Sequence, residues 1–302
     1  MRHLDTIENL TTVEIEELID SASSFKSGRY ANYSTKHVAL MFFENSTRTR
    51  FSFECAINRL GAHPYIFDIS KSSSKKGETI KDTINNLCAI GINTFIIRTR
   101  EENLINELKQ IDFYKPVHFI NAGEGKSSHP TQALLDYFTM LEKIKTVKNK
   151  KVVIIGDIKH SRVAKSNIAL LKKFGANVIT TAPEYFREDI NGAIFEPDLK
   201  KALDGADVVM ALRIQNERLE EAISKEDFIK NYSLNMENFP KNAILMHPGP
   251  VNRDIEISSE LLDSKTGITI LNQAENGVYI RMAVIDKILK GQLKWLKKFP
   301  LW

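Results

Sequence analysis

Cysteine is scarce in this sequence. Its two cysteines, Cys55 and Cys88, lie far apart and in neither a CxxC nor a CxxH spacing. That pattern excludes a disulfide framework and a cysteine-built zinc site, and it fits a reducing, cytoplasmic setting. Long apolar runs are also missing. Stretches such as Val152-Val153-Ile154-Ile155 and Phe95-Ile96-Ile97 are strand-length, whereas a membrane helix needs about 20 apolar residues. Charge of one sign is not in excess. Lys and Arg number 42 against 38 Asp and Glu, a net +4, with no concentrated basic stripe of the kind nucleic acid requires. No repeat recurs at a fixed period. Neither G-x-G-x-x-G nor a P-loop occurs, which argues against a dinucleotide fold and a Walker A site. The opening Met1-Arg2-His3-Leu4-Asp5 leads into acidic text, so no signal peptide is expected.

What is present is ordinary globular composition, 42% hydrophobic and 26% charged over 302 residues, a length suited to about two domains. Short β-branched runs alternate with amphipathic stretches. Strands are predicted at 38–43, 65–67, 94–98 and 117–120. Helices are predicted at 48–60, 79–90, 101–108 and 131–144. A polar basic stretch, 145–151, reads as a domain junction. Beyond it, strands are predicted at 152–155, 177–181, 207–212 and 244–246, with a helix carrying Val163, Leu170, Leu171 and Phe174 on one face and a last helix over 275–289. Strands alternating with helices imply βαβ units, hence an α/β protein of two domains, each a parallel sheet flanked by helices. Ligands of such sheets bind beyond the carboxyl ends of the strands, and the chemistry-bearing motifs do follow strands.

The first motif is Phe43-Glu44-Asn45-Ser46-Thr47-Arg48-Thr49-Arg50. Hydroxyls and an Arg at a helix N-terminus suit phosphate, because that end carries orphan N–H donors and partial positive charge. A capping Ser46 before a solvated basic turn would read the same way. Ser72-Ser73-Ser74-Lys75-Lys76-Gly77-Glu78-Thr79 reads as a polar loop that brings cations toward an anion, or as a plain solvated turn. Ser128-His129-Pro130-Thr131-Gln132 opens the long helix. There Pro130 suits the first turn, and the dipole favours a neutral His129 able to donate to a carbonyl oxygen; a loop His packed at a helix start is the alternative.

In the second half, Gly156-Asp157-Ile158-Lys159-His160-Ser161-Arg162 places an Arg at a helix start, suited to a small carboxylate. Ala211-Leu212-Arg213-Ile214-Gln215-Asn216-Glu217-Arg218 ends a strand, and so does Met246-His247-Pro248-Gly249-Pro250-Val251-Asn252-Arg253. Structural ion pairs for the arginines and simple punctuation for the turn remain alternatives.

Taken together, in this order, these motifs resemble those of the catalytic-chain family of the aspartate carbamoyltransferases, over about residues 40–290. Ser-Thr-Arg-Thr alone marks the wider aspartate/ornithine superfamily. The Lys-Lys-Gly-Glu loop, the Arg213/Gln215 pair and the His-Pro-Gly-Pro turn select the aspartate branch. The ornithine branch typically has a Ser-Met-Gly loop and a His-Cys-Leu-Pro turn, and neither occurs here. An ornithine enzyme and a non-catalytic carbamoyltransferase-like scaffold are the rival readings; a scaffold would usually lack one of the key residues.

The resemblance implies transfer of a carbamoyl group from carbamoyl phosphate to the amine of L-aspartate, in pyrimidine (UMP) biosynthesis. It implies Ser46, Thr47, Arg48 and Thr49 as phosphate ligands. Thr49, Arg98 and His129 would face the carbamoyl oxygen. Gln132, with the turn at Pro248, Gly249 and Pro250, would hold the carbamoyl NH2. Arg162, Arg213, Gln215 and Lys76 would bind aspartate. Ser72 and Lys76 would belong to a loop reaching an adjacent subunit, giving a homotrimer with shared sites. Residues 1–145, with about 285–302 packing back, would bind carbamoyl phosphate, and 146–284 aspartate. No metal or cofactor is implied, no nucleic acid or membrane partner is expected, and a separate regulatory chain is a candidate partner.

Overall fold

The computed structural model describes residues 1–67, 78–214 and 223–296. It divides into two compact units, Met1–Thr131 with Gly277–Trp302, and Gln132–Asn276. The first holds a four-stranded sheet in the order β2 (His63–Phe67), β1 (His37–Phe42), β3 (Thr94–Thr99), β4 (His118–Glu124), and the second a five-stranded sheet in the order β7 (Ala193–Phe195), β6 (Asn177–Thr181), β5 (Lys151–Ile155), β8 (Val208–Ala211), β9 (Ile244–Met246). Every pairing in both sheets is parallel. The expected α/β architecture of two parallel sheets flanked by helices is the observed one.

In the first unit β1 (His37–Phe42), β3 (Thr94–Thr99) and β4 (His118–Glu124) are buried along most of their length, with apolar centres in β1 and β3 and with His118, Asn121 and Glu124 among the buried residues of β4, as strands covered on both faces are buried. The edge strand β2 (His63–Phe67) differs. It carries Pro64, which an edge tolerates because no ladder donor is needed there, and it exposes Tyr65 and Ile66. Helix α2 (Thr47–Arg59) buries Phe53, Ala56 and Ile57, the stripe its spacing predicts. Helix α3 (Ile80–Ala89) starts at a Thr79–Asp82 capping box, and α4 (Leu104–Lys109) buries Leu104, Ile105 and Leu108. Met41, Ile84, Phe95, Ile97, Ile105 and Phe119 are central to one core.

Helix α1 (Thr12–Lys26) lies outside the predicted series, although a Thr11–Glu14 capping box and an apolar stripe at Ile15, Leu18, Ile19, Ala22 and Phe25 mark it. The last helix, Ile268–Leu296, is longer at both ends than the predicted 275–289. From Ile280 to Leu289 it buries Ile280, Ala283, Val284, Ile285, Ile288 and Leu289. It is bolted to the first unit by Asp286, which accepts from Tyr33 Oη at 2.5 Å and Arg29 Nη2 at 2.7 Å.

In the second unit β5 (Lys151–Ile155), β6 (Asn177–Thr181), β8 (Val208–Ala211) and β9 (Ile244–Met246) carry the core, with the short edge strand β7 (Ala193–Phe195) unpredicted. Helix α6 (Arg162–Lys173) follows β5. Unit membership changes inside helix α5 (Pro130–Ile144) and inside the last helix, whereas the basic stretch 145–151 follows α5. The cause is visible in side chains. Asp136 and Thr139 of α5 hydrogen-bond to Gln273 and Asn276 respectively, all within the second unit.

Candidate active site

In an open parallel sheet, the crevice for a ligand opens where successive connections run in opposite directions. In the first sheet that point is between β1 and β3, since β2 lies on the far side of β1 and β4 on the far side of β3. The predicted phosphate motif follows β1, and Arg98 lies near the end of β3, in register with Phe42. The main chain is tied there, with Phe43 N–H donating to Arg98 O at 2.7 Å. Ser46 is the N-cap of α2, but its side chain makes no capping hydrogen bond, and no acid occupies the first turn. The expected Ser46 cap is therefore absent, and the positive end of α2 is not neutralised by its own side chains. Thr47 and Arg48 are exposed there, Ser46 is half-buried and Thr49 buried.

Arg98 is aimed by its neighbours. Its Nε lies 2.7 Å from Glu44 Oε1, and its Nη1 donates to Ala122 O at 2.9 Å. Glu44, inside the same motif, was not given a role from sequence, and it also faces Arg100 at 3.7 Å. His129 is 4% exposed, directly before α5. The turn leading to it is closed by Glu124 N–H to Ser128 O at 2.9 Å. The Glu124 carboxylate accepts from Ile105 N–H at 2.8 Å, and burial raises its pKa.

In the second sheet the reversal lies between β5 and β8, with β6 and β7 on one side and β9 on the other. Arg162 opens α6 after β5, and Ser161 caps that helix by accepting from Ala164 N–H at 3.1 Å. Arg213 follows β8 and is exposed. The two connections touch at Gly156. Its φ is +117°, and a Cβ there would sit 3.3 Å from Leu212 O, so only glycine fits without strain. The turn after β9 holds Gly249 at φ +69° and a cis Gly249–Pro250 bond; Pro248 and Gly249 are half-buried and Pro250 exposed.

A buried polar network underlies these second-unit residues. Gln132 Nε2 donates to Asp136 Oδ1 at 2.9 Å, Gln273 Nε2 to the same oxygen at 2.8 Å, and Asn167 Nδ2 to Asp136 Oδ2 at 2.8 Å. With its NH2 on Asp136, the Gln132 amide has its oxygen as the remaining acceptor. Gln273 Oε1 accepts from His247 N–H at 2.9 Å, which joins Gln132 to the turn. Asp136, Gln273 and Glu256 were missed from sequence. For the two acids the one signal is a lone carboxylate inside apolar text, as in Leu134-Leu135-Asp136-Tyr137-Phe138 and Ile255-Glu256-Ile257, while Gln273 stands in the polar run Asn272-Gln273-Ala274-Glu275-Asn276.

Ser72, Lys76 and Gln215 lie outside the described residues. The structure thus groups Ser46, Thr47, Arg48, Thr49 and Arg98 at one sheet's reversal point, and Arg162 and Arg213 at the other's. Among the described residues, no three His, Cys, Asp or Glu side chains are grouped to hold a metal ion, and no helix is long and apolar enough to cross a membrane.

Comparison with known proteins gives a consistent picture. Residues 2–142 match the family described as aspartate/ornithine carbamoyltransferase, carbamoyl-P binding domain, and residues 148–288 match its Asp/Orn binding domain. The chain is 41% identical over 299 residues to an aspartate carbamoyltransferase catalytic subunit of Listeria monocytogenes, covering 97% of each. Among solved structures it resembles the catalytic subunit of M. jannaschii aspartate transcarbamoylase, with TM-score 0.84, 30% identity, and 96% and 99% of the two chains covered. It also resembles the ornithine carbamoyltransferase of Pyrococcus furiosus, with TM-score 0.82, 28% identity, and 94% and 96% covered.

Proposed function

The chain belongs to the aspartate/ornithine carbamoyltransferase family, and from that premise we propose that it carbamoylates L-aspartate, giving N-carbamoyl-L-aspartate and phosphate for pyrimidine synthesis. The observation that carries the reading is the pair of cationic reversal points, Arg48 and Arg98 in one sheet and Arg162 and Arg213 in the other. One phosphate and one dicarboxylate need two such sets of planar donors. The fold is shared with an ornithine enzyme, so the choice of aspartate rests on the second set and on the Listeria relative. A cationic acceptor such as ornithine would not be served by an added arginine.

In this reading Ser46, Thr47, Arg48 and Thr49 hold the phosphate at the N-terminus of α2. Thr49, Arg98 and His129 donate to the carbamoyl oxygen. Gln132 accepts from the carbamoyl NH2, helped by carbonyls of the turn at Pro248, Gly249 and Pro250. Arg162, Arg213 and Gln215 hold the two carboxylates of aspartate. The unprotonated amine attacks the carbamoyl carbon, and negative charge grows on the oxygen facing Arg98 and His129. The carbon–oxygen bond to phosphate then breaks, and the phosphate leaves carrying the amine's proton. Placement and charge stabilisation supply the acceleration, with no covalent enzyme intermediate.

The finer assembly is part of the same proposal. Ser72 and Lys76 act in the site of an adjacent subunit of a cytoplasmic homotrimer, and a regulator, if one binds, is a separate chain. The test is a colorimetric assay for the ureido product from carbamoyl phosphate with aspartate or ornithine as acceptor. Product from aspartate supports the reading, and product from ornithine alone overturns it.

A further inference from the structure

Glu256 is 2% exposed and lies under the two connections that carry Arg213 and the His247–Pro250 turn. Its backbone is pinned, with Leu234 N–H donating to Glu256 O at 3.0 Å and Ser258 N–H to Leu234 O at 2.8 Å. Its carboxyl meets three donors. Oε1 accepts from Ile214 N–H at 2.9 Å and from Asn252 Nδ2 at 2.7 Å, and Oε2 accepts from Asn252 N–H at 2.6 Å. Asn252 Nδ2 also donates to Ile214 O at 2.8 Å. The residue after Arg213 is thus gripped at both its N–H and its C=O. On the other side, Gly249 N–H donates to His247 Nδ1 at 2.7 Å. That places the proton of a neutral imidazole on Nε2, 3.8 Å from Glu256 Oε2.

We propose that Glu256 is a positioning residue for aspartate binding, its carboxylate holding the Arg213–Ile214 segment against the His247–Asn252 turn. The inference rests on the aspartate-binding role proposed above for Arg213. Arg213 is exposed at the end of a short strand, so the placement of its guanidinium depends on a fixed main chain beneath it, as first-contact ligands depend on the groups that orient them.

Only the ionised carboxyl accepts from all three donors; a protonated one turns an O–H toward an N–H. Burial is the largest influence on this group and raises its pKa to about 7, opposed by the Ile214 and Asn252 donors and by the charge of Arg213. Among the described residues, the ionisable groups facing it are Arg213 beyond β8 and His247 beyond β9. Aspartate binding should therefore weaken as pH falls through about 7.

The experiment compares wild type, Glu256→Gln and Asn252→Ala, measuring KM for each substrate and kcat from pH 6 to 8.5. At pH 8, E256Q should raise the KM for aspartate about tenfold or more, the usual scale for a lost bond to a charged group, with the KM for carbamoyl phosphate changed less than about twofold. The wild-type rise in aspartate KM below about pH 7 should be missing in E256Q. N252A keeps the charge and should show a smaller loss in the same parameter, so it carries the test if E256Q does not fold. Unchanged aspartate KM in the folded variants, or equal losses for both substrates, overturns the positioning role. A wild type that makes no carbamoyl-aspartate overturns the function itself, and the role of Glu256 with it.

Discussion

The two units solve the same problem, holding cationic side chains at a sheet's reversal point, by different means. The first relies on local structure. Ser46 to Thr49 are consecutive residues at the start of α2, and Arg98 is steadied by Glu44 in the loop after β1 and by Ala122 of the neighbouring β4. The second relies on distant residues. Gln132 is oriented by Asp136, which shares a hydrogen-bonded chain with Gln273 and His247, while Arg213 sits beside a segment held by Glu256 and Asn252. A local site tolerates change elsewhere in its domain, whereas a networked site passes a distant substitution to the ligand.

The largest effect is expected at Arg98. Arg98→Ala should lower kcat by about a hundredfold to a thousandfold, the range for losing a donor to a developing oxyanion, with little change in the aspartate KM. A kcat within a few-fold of wild type in steady-state assays would remove Arg98 from the chemistry. Next is complementation. Lys76→Ala and Arg98→Ala proteins, each inactive, should regain partial activity when dissociated and reassembled together. No recovery in the mixed assembly would argue against sites shared between subunits.

Asp136→Ala should be felt at a distance. Three buried amide donors lose their acceptor, each costing on the order of 1–3 kcal/mol. Both a lower melting temperature and a kcat reduced about tenfold are expected. Thermal denaturation beside kinetics checks this, and a stability loss with kcat intact would mean that Gln132 needs no orientation.

The smallest effect is a pH dependence of stability, with opposite sign in the two units. In the first, His3 Nδ1 accepts from Phe119 N–H at 3.2 Å, and burial leads the influences that lower its pKa from 6.5 to about 4. Its contribution is full above pH 6.5 and is lost as pH falls toward 4. In the second, the raised pKa of Glu256 gives a contribution that is full below 4.5 and is lost as pH rises through about 7. Melting curves of His3→Gln and Glu256→Gln against wild type from pH 4 to 8 should diverge in opposite directions. Parallel curves would contradict both assignments.

How much of this was legible in the sequence follows the same division. The strands 38–43, 94–98, 152–155 and 177–181 and helix 48–60 announce themselves because apolar period and helix starts are local signals, and the observed elements fall on them. Helix α1 carried equally local signals at Thr11, Glu14 and its apolar stripe. The helix Lys225–Tyr232 carried one as well, the Ser224 cap followed by Glu226 and Asp227, whereas the three residues of β7 define too little and packing decides their state. The phosphate motif and the arginines at strand ends could be read as anion ligands because each motif is contiguous. Asp136 and Glu256 could not, because Gln273 and Asp136 are 137 residues apart in sequence and no local pattern encodes that meeting. The absent Ser46 cap is the reverse case: a residue type suited to capping leaves its helix end uncapped in the structure.

The central claim is that the phosphate of carbamoyl phosphate is held by the first unit's motif around Arg48 and aspartate by the second unit's arginines, with Gln132 and the Pro248–Pro250 turn of the second unit completing the carbamoyl site. The direct measurement is the pair of KM values for Arg48→Ala and Arg213→Ala, determined side by side with the other substrate saturating. The account predicts crossed effects, with Arg48→Ala raising the KM for carbamoyl phosphate and Arg213→Ala raising that for aspartate, each by about tenfold or more from losing a charge-assisted contact. Equal losses for both substrates in both variants would contradict it.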